Sequence, residues 1–353
     1  MRVFTNKGTY RKGITMGNLC FGIDLGSNNL KLYCKEGDRI IQQKNMVAVE
    51  NKKKMIAYGD EAYAMYEKAP AHIEVSYPMS YGNIGSINNL EVFLKSLLEK
   101  TTKGALKGAD YFMALPTDVQ DRVFTTLIQD AGLKPHSINM IDMPVAAGLG
   151  LGINVKEAQG VLVVDVGADT TEVSILSLGG IVMSRLIKVG GNQIDEAIIS
   201  AIRREYNYFI GSKTAEQVKK ALAYAVIPEN AKEEKMKICG RNMVLGLPAM
   251  VEIDAQFVSE SIKDVLKQIM DTVKVVLERT PPELGVDMIQ NGIYLTGGSS
   301  QLKNLDQMIA NKTGISVVKD DDPEQCIARG LCRVINEREF RSLTFTTKEQ
   351  EYN

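Results

Sequence analysis

The chain has 353 residues, of which 44% are hydrophobic, and this is enough for more than one packed core. Its 42 basic and 43 acidic side chains give a net charge of −1, so composition predicts no general attraction to nucleic acid or to anionic lipid. The five cysteines are odd in number and lack CxxC spacing, which excludes that type of zinc site and favours a reducing cytoplasm over a disulfide framework.

The first half of the chain alternates between predicted strands and helices. Residues 1–18 are basic but too polar for a signal peptide, and we expect a frayed terminal arm. Further along, the pattern predicts helices at 88–99 and 119–131, strands at 111–115 and 137–142, and a helix of small residues from Pro144. Such strand–helix–strand alternation is typical of an α/β layered fold.

The second half repeats this plan. The pattern predicts a strand at 181–189, helices at 194–202, 213–224 and 255–279, and a polar, irregular region at 227–252. No apolar run is long enough to span a bilayer. The residues after Asn336 are highly charged, so we expect a disordered tail.

Two stretches, one in each half, have the same local pattern. An apolar run at 161–164 leads into Asp165 and a tight turn, and a run beginning at Cys20 leads into Asp24 in the same way. A buried strand that ends in a carboxylate and a turn of backbone amides can hold a phosphate and its Mg²⁺. One such pattern alone fits an ordinary capped hairpin equally well. Because the pattern occurs twice, it predicts two related lobes that hold a nucleotide polyphosphate between them.

A third motif lies at residues 292–300. It predicts a short strand, a turn at Gly297 and Gly298, and then a helix. Glycines let the backbone approach a planar ring or a phosphate, and a helix N-terminus favours negative charge. A lone Gly-Gly turn is more often a plain bend, but after two phosphate-type hairpins it indicates the nucleoside end of a nucleotide.

In order, spacing and local sequence, these residues resemble the actin superfamily and, within it, the bacterial MreB family. The resemblance runs from about Phe21 to Asn336, and its most specific segments are 22–29, 163–175, 189–199, 279–284, 295–298 and 322–330. It implies an α/β, actin-like ATPase fold with two lobes, each with a large and a small subdomain, around a nucleotide cleft. The implied divisions are an N-terminal extension at 1–20, lobe I at 21–158 with its small subdomain at 51–110, lobe II at 159–336 with its small subdomain at about 200–250, and a tail at 337–353.

The resemblance also implies a function. It describes a cytoplasmic ATP-binding protein that forms membrane-associated filaments and helps determine rod cell shape by positioning cell-wall synthesis. The implied cofactors are ATP and Mg²⁺. The implied partners are further copies of the chain or a paralogue, the cell-wall elongation machinery at the inner membrane, and, weakly, the inner face of that membrane, with no nucleic acid.

Carried over by motif, the resemblance assigns the site residues. Those expected at the phosphates are Gly26, Ser27, Asn28 and Asn29 from the first hairpin, and Gly167, Ala168, Asp169, Thr170 and Thr171 from the second. Those expected at the nucleoside are Glu216, Lys219, Lys220, Gly297, Gly298, Ser299 and Ser300. Asp24 and Asp165 are the implied catalytic and metal-binding carboxylates, which would organise Mg²⁺ largely through water.

The chain departs from the family pattern at several places, including Ala221, Ser299 and Leu30, and two of the departures bear on hydrolysis. The family has a glutamate directly before a proline, which positions the attacking water, but this chain has Met143 there and Asp142 one residue earlier. A thioether cannot orient a water for in-line attack, and neighbouring residues point in different directions, so Asp142 is a poor catalytic substitute. Asp169 replaces a glycine, which puts a carboxylate where phosphate is expected and suggests a positive φ. We therefore expect slow ATP hydrolysis or none.

Other readings remain open at this point. The loop through which the family often contacts membranes offers only Leu106, flanked by Lys103 and Lys107, so we expect weak membrane binding at best. A nucleotide-binding scaffold that neither hydrolyses nor polymerises is the main alternative to a filament. A metabolite kinase of the same superfamily would share both hairpins but would need an additional carboxylate base and usually a longer chain.

Overall fold

The computed structural model describes residues 19–102, 104 and 106–347. Its strands are β1 (Cys20–Leu25), β2 (Asn29–Cys34), β3 (Arg39–Lys44), β4 (Val47–Glu50), β5 (Lys54–Tyr58), β6 (Ile73–Ser76), β7 (Met79–Ser80), β8 (Asn83–Ile84), β9 (Asp110–Leu115), β10 (Ser137–Asp142), β11 (Val161–Val166), β12 (Thr171–Ser177), β13 (Gly180–Ile187), β14 (Tyr208–Phe209), β15 (Lys235–Asn242), β16 (Pro248–Asp254), β17 (Ile293–Thr296) and β18 (Val317–Lys319). Its α-helices are α1 (Asp60–Met65), α2 (Ile87–Thr102), α3 (Asp121–Asp130), α4 (Met143–Gly150), α5 (Gly191–Tyr206), α6 (Ser212–Leu222), α7 (Ala255–Ser261), α8 (Lys263–Glu278), α9 (Pro282–Asn291), α10 (Leu305–Thr313) and α11 (Cys326–Asn336). Short 3₁₀ helices lie at Glu229–Ala231, Gly298–Gln301 and Arg338–Leu343.

Two five-stranded sheets share one plan. The first has the order β10-β9-β1-β2-β3, and the second has the order β13-β12-β11-β17-β18. In each sheet the central strand pairs antiparallel with the strand that follows it and parallel with a later strand: β1 with β2 and β9, and β11 with β12 and β17. The two carboxylate turns predicted from the sequence therefore lie at equivalent ends of two related sheets.

The apolar faces of these strands and their flanking helices explain the cores. The predicted stripe on α2 is confirmed, because Leu90, Phe93, Leu94, Leu97 and Leu98 are all buried against the first sheet. On the second sheet, α5 and α8 bury their apolar faces in the same way. The single helix predicted at 255–279 is wrong, because Ile262 has φ −100° and ψ −2° and separates α7 from α8.

Each large sheet is accompanied by a small one. The sheet β5-β4-β6 packs with α1, and the sheet β14-β15-β16 packs with α6. The first small unit begins before the predicted 51–110, since β4 belongs to it, and it also ends earlier, since α2 packs with the large sheet. The region predicted as irregular at 227–252 contains the regular hairpin β15–β16, which buries Ile238 on its inner face.

The C-terminal segment returns to the first sheet. Helix α11, expected in lobe II, packs on β1, where a side chain added at Gly22 would meet Leu331. It also crosses α4 closely, because a side chain at Gly330 would collide with the carbonyl of Ala146. The prediction of disorder from residue 337 is wrong up to residue 347, because Phe340 is buried and Phe345 pairs with Met140. Residues 348–353, like the predicted arm at 1–18, lie outside the described residues.

Candidate nucleotide cleft

One cavity of about 1080 Å³ lies between the two large sheets. Most of the residues predicted from the sequence line it, namely Asp24, Gly26, Ser27, Asn28, Asn29, Asp165, Gly167, Ala168, Asp169, Thr170, Glu216, Lys219, Lys220, Gly297, Gly298 and Ser299. Three do not. Thr171 is buried and donates its hydroxyl to the carbonyl of Val189 at 2.7 Å, Ser300 is buried, and Asp142 lies outside the lining, whereas Met143 belongs to it.

The turn after β1 is shaped by close backbone contacts. A side chain at Gly26 would lie 2.7 Å from the carbonyl oxygen of Asn29, so only glycine fits there. The side chain of Asn45, a residue outside the turn, donates to the Gly26 carbonyl at 2.9 Å and stabilises the conformation of the turn. In the second sheet, the Gly167 N–H donates to the Thr170 carbonyl at 2.8 Å and closes the equivalent turn. Both turns thus present backbone to the cavity.

Asp24 is paired with a lysine that the sequence analysis did not single out. The Lys31 ammonium lies 3.0 Å from Asp24 Oδ2, while Asp24 Oδ1 is buried with no hydrogen-bond partner among the described residues. Burial works against the charge of Lys31, but the adjacent Asp24 outweighs it and raises the pKa of the lysine. The role of Lys31 could have been inferred from the pairing of β1 with β2, because Lys31 lies directly opposite Asp24 and between two buried leucines of its own strand. Lys31 puts a fixed positive charge at the end of the cavity expected to hold phosphate.

Asp165 is partly exposed where it lines the cavity, and it lies close to other carboxylates. Burial raises its pKa to about 7, and the negative charges of Glu172 and Asp24 add to the shift. Gly297 is required beside it, because a side chain at that position would collide with the Asp165 carboxylate. Two nearby carboxylates, one with an unpartnered oxygen, form an oxygen donor set that a hard divalent cation would stabilise.

The other end of the cavity is lined by α6. Glu216 accepts from the Tyr63 hydroxyl at 3.3 Å and pairs with Lys220 at 2.8 Å. Burial opposes its ionisation, but Lys220 and Lys44 hold its pKa below the usual value. Lys219 pairs with Asp195 at 2.8 Å, so its charge is directed at the start of α5. Tyr63 was missed because no sequence motif marks it.

Comparisons with known proteins identify the family. Residues 18–342 match the family model described as MreB/Mbl protein. The chain is 34% identical over 313 residues to the cell shape-determining protein Mbl of Bacillus subtilis (strain 168), covering 88% of this chain and 93% of that protein. It is also 34% identical over 318 residues to the cell shape-determining protein MreB of Escherichia coli (strain K12), covering 87% and 90%. The chain belongs to the MreB/Mbl family.

Solved structures of similar shape agree with this assignment. The crystal structure of MreB5 of Spiroplasma citri bound to ADP has a TM-score of 0.85 at 31% identity, covering 95% of this chain and 99% of that one. The AMPPNP-bound form of the same protein has a TM-score of 0.86 at 32% identity, covering 92% and 97%. A MamK double helical filament, at 21% identity and a TM-score of 0.74, shares the fold. This MreB/Mbl family member is therefore an actin-like α/β protein, related to proteins named for determining cell shape.

In this MreB/Mbl chain several hydrogen bonds cross the cleft. Thr117 donates to Glu172 at 2.6 Å, Gln42 donates to Glu324 at 3.0 Å, and the backbone N–H of Tyr81 donates to Asp169 at 2.9 Å. The expected positive φ at Asp169 is wrong, since it is absent from the residues with that conformation. Each oxygen of its carboxylate accepts one hydrogen bond, from the Tyr81 N–H and from the Asn192 side chain, and its position next to the phosphates stays a prediction.

Two further observations concern membranes. Leu106, the apolar side chain of the loop through which the family often contacts membranes, is only 8% exposed and packs in the core of the first sheet. Among the described residues, none of the helices combines the length and apolar character needed to cross a bilayer.

Proposed function

We propose that this chain binds Mg-ATP in its cleft, assembles into filaments and helps determine rod cell shape by positioning cell-wall synthesis. The observation that carries the nucleotide proposal is the pair of matched carboxylate turns, after β1 and β11, which line one cavity. The ADP and AMPPNP complexes of the similar Spiroplasma citri MreB5 support it. The proposal retains two lobes, with α11 assigned to the first.

The residues fit Mg²⁺ and a polyphosphate. The free Oδ1 of Asp24 and the partly exposed Asp165 would hold the cation, largely through water, and bound Mg²⁺ would neutralise charge on the phosphates. Backbone amides of the turns at 26–29 and 167–170, with the Lys31 ammonium, would bind phosphate oxygens. Glu216 and the glycines at 297 and 298 would border the nucleoside.

We propose that hydrolysis is slow or absent. Met143 lines the cavity at the first position of α4, where a water-positioning carboxylate would be needed, and its thioether is a poor partner for water. Asp142 does not replace it, because it lies outside the cavity lining and burial raises its pKa. This observation also supports the second candidate function, a nucleotide-binding scaffold that does not hydrolyse ATP.

Self-assembly is supported by two exposed apolar surfaces. The turn between β15 and β16, here called the hairpin tip, exposes Met243, Val244, Leu245, Leu247 and Met250. Helix α9 exposes Val286 and Ile289. Arg241 lies beside the first surface and Glu283 beside the second, so these two side chains could form an ion pair between copies. Different surfaces that complement each other give head-to-tail contacts, and such contacts propagate into filaments. We propose that the hairpin tip of one copy contacts α9 of the next.

Peripheral membrane contact and binding to the cell-wall elongation machinery complete the proposal. Because Leu106 is buried, we propose that membrane contact involves another segment. Residues 1–18 are the candidate, since they are basic. Flotation of the full chain and of a variant lacking those residues with anionic liposomes tests this. We expect weak flotation that depends on the segment, and equal flotation of both proteins would contradict it.

One preparation tests the central proposal. Calorimetry with Mg-ATP measures nucleotide affinity, and electron microscopy of the same sample shows whether filaments form. Binding together with filaments supports the proposal. Binding without filaments, alone or with a paralogue, favours the scaffold. An absence of binding refutes the nucleotide function, and phosphorylation of a small metabolite by a persistent monomer would favour a kinase.

A further inference from the structure

The hairpin β7–β8 has an unusual turn that faces the cleft. Tyr81 and Gly82 both have positive φ, 51° and 75°, as a two-residue hairpin loop with a type I′ turn requires. Bulky residues rarely adopt this conformation, and it persists only where the surroundings determine it. The hairpin pairs Ser80 with Asn83, and the Tyr81 N–H points away to Asp169 Oδ2 at 2.9 Å. The tyrosine thus has an external partner that holds its strained backbone.

Asp169 makes a second bond on its own side of the cleft. It is only 7% exposed, and its Oδ1 accepts from the side chain of Asn192 in the first turn of α5 at 2.7 Å. The next residue, Gln193, donates to the Tyr81 hydroxyl at 3.1 Å. One buried carboxylate therefore joins the turn after β11, the start of α5 and a turn of the other lobe. Hydrogen bonds to a charged acceptor are among the stronger ones in proteins.

This contact lies at the phosphate end of the cavity. Gly82 on one side and Gly167, Ala168 and Asp169 on the other all line the same space. The hydrogen bond between Tyr81 and Asp169 therefore lies beside the part of the cavity that is expected to hold the phosphates. Movement of either lobe that widens this end of the cleft must stretch or break that bond.

We propose that Asp169 is a positioning residue that ties the phosphate turn of the second lobe to the Tyr81 turn of the first, and that nucleotide enters and leaves by breaking this tie. The proposal rests on the proposed nucleotide function. It assigns Asp169 a role in gating the cleft, with no direct contact to phosphate.

Hydrogen exchange of the nucleotide-free chain tests the tie itself, because the Tyr81 amide is the donor. In Asp169→Ala this amide should exchange on the order of 10- to 100-fold faster, as expected for loss of a hydrogen bond to a charged group. Asn192→Ala is the matched control, since it removes a bond to the same carboxylate within the second lobe and leaves the Tyr81 donor its acceptor. Equal exchange at Tyr81 in wild type and Asp169→Ala overturns the proposal. If the alanine variant does not fold, Asp169→Leu serves, because leucine has a similar shape and no atom that can accept the Tyr81 N–H.

Stopped-flow measurement with a fluorescent ATP analogue and Mg²⁺ tests the gate. Association and dissociation rate constants should both rise several-fold in Asp169→Ala, with a smaller change in their ratio, and should stay near the wild-type values in Asn192→Ala. Unchanged rates in a variant whose Tyr81 amide has lost protection overturn the gate while leaving nucleotide binding intact. If the wild type binds no nucleotide, the proposed function fails first and the gate fails with it.

Discussion

Replacing Leu245 with serine at the hairpin tip is expected to weaken filament assembly and leave the fold intact. Leu245 is 70% exposed in the single chain, so its transfer from water can occur only on assembly. Full burial of a leucine side chain contributes about 1.5–3 kcal/mol, and 70% of that is about 1–2 kcal/mol. Each 1.4 kcal/mol is about a tenfold change in an equilibrium constant, so the critical concentration should rise about 5- to 30-fold.

Sedimentation across a range of protein concentrations with Mg-ATP measures this critical concentration. The matched control is Leu178→Ser, because Leu178 is 71% exposed in the turn between β12 and β13 and lies in neither proposed contact surface. The free energy of unfolding of both variants should lie within about 0.5 kcal/mol of the wild-type value, as is usual for surface substitutions. Assembly of Leu245→Ser at the wild-type critical concentration, or equal impairment of both variants, would refute the reasoning.

Three further predictions concern the cleft. Met143→Glu should raise phosphate release from Mg-ATP on the order of tenfold or more, because it supplies a carboxylate for the attacking water; robust turnover by the wild type would contradict this. Lys31→Met should lower the free energy of unfolding in urea by about 3–5 kcal/mol by leaving Asp24 buried without its ion pair, and Lys31→Met/Asp24→Asn should recover much of the loss. The folded-state pKa of Asp165, about 7, lies above its ordinary value of 3.8, so its protonation stabilises the nucleotide-free protein fully below pH 3.8, and this contribution is lost as the pH rises through 7. Denaturation of Asp165→Asn at pH 5 and pH 8 should lack that part of the pH dependence, and an unchanged profile would contradict the assignment.

Much of the cleft was predictable because its signals are local. A run of apolar residues that ends in Asp165 and a glycine turn specifies a strand and its terminus within a few positions, and the same pattern at Asp24 indicated the related sheet. The face of α2 was equally readable, since five buried side chains recur at helical spacing. Because the same pattern occurs in both halves of the chain, it predicted that the two carboxylate turns line one cavity between related sheets.

What the sequence did not reveal depends on contacts between distant residues. Lys31 acquires its role from the strand register that puts it opposite Asp24, and Tyr81 meets Asp169 across 88 positions of chain. An irregular region was predicted at 227–252 because this stretch is polar and contains proline and glycine, and the outward lysines and apolar side chains of β15–β16 obscure the alternation of its inward residues. The segment after α11 was read as disordered from its charge, although Phe340 is buried within it.

The crossing of α4 and α11 has a mechanical consequence. The chain passes from the first sheet to the second through α4 and returns through α11, and the two helices touch through glycine backbone at Gly330 and Gly150. At these two points the helices meet backbone to backbone, without interlocking side chains between them. There is therefore no second side-chain packing into which one helix could slide along the other. We therefore expect the two halves of the molecule to rotate about the crossing of α4 and α11. The angle between the halves would then transmit the state of the cleft to the outer surface of the protein.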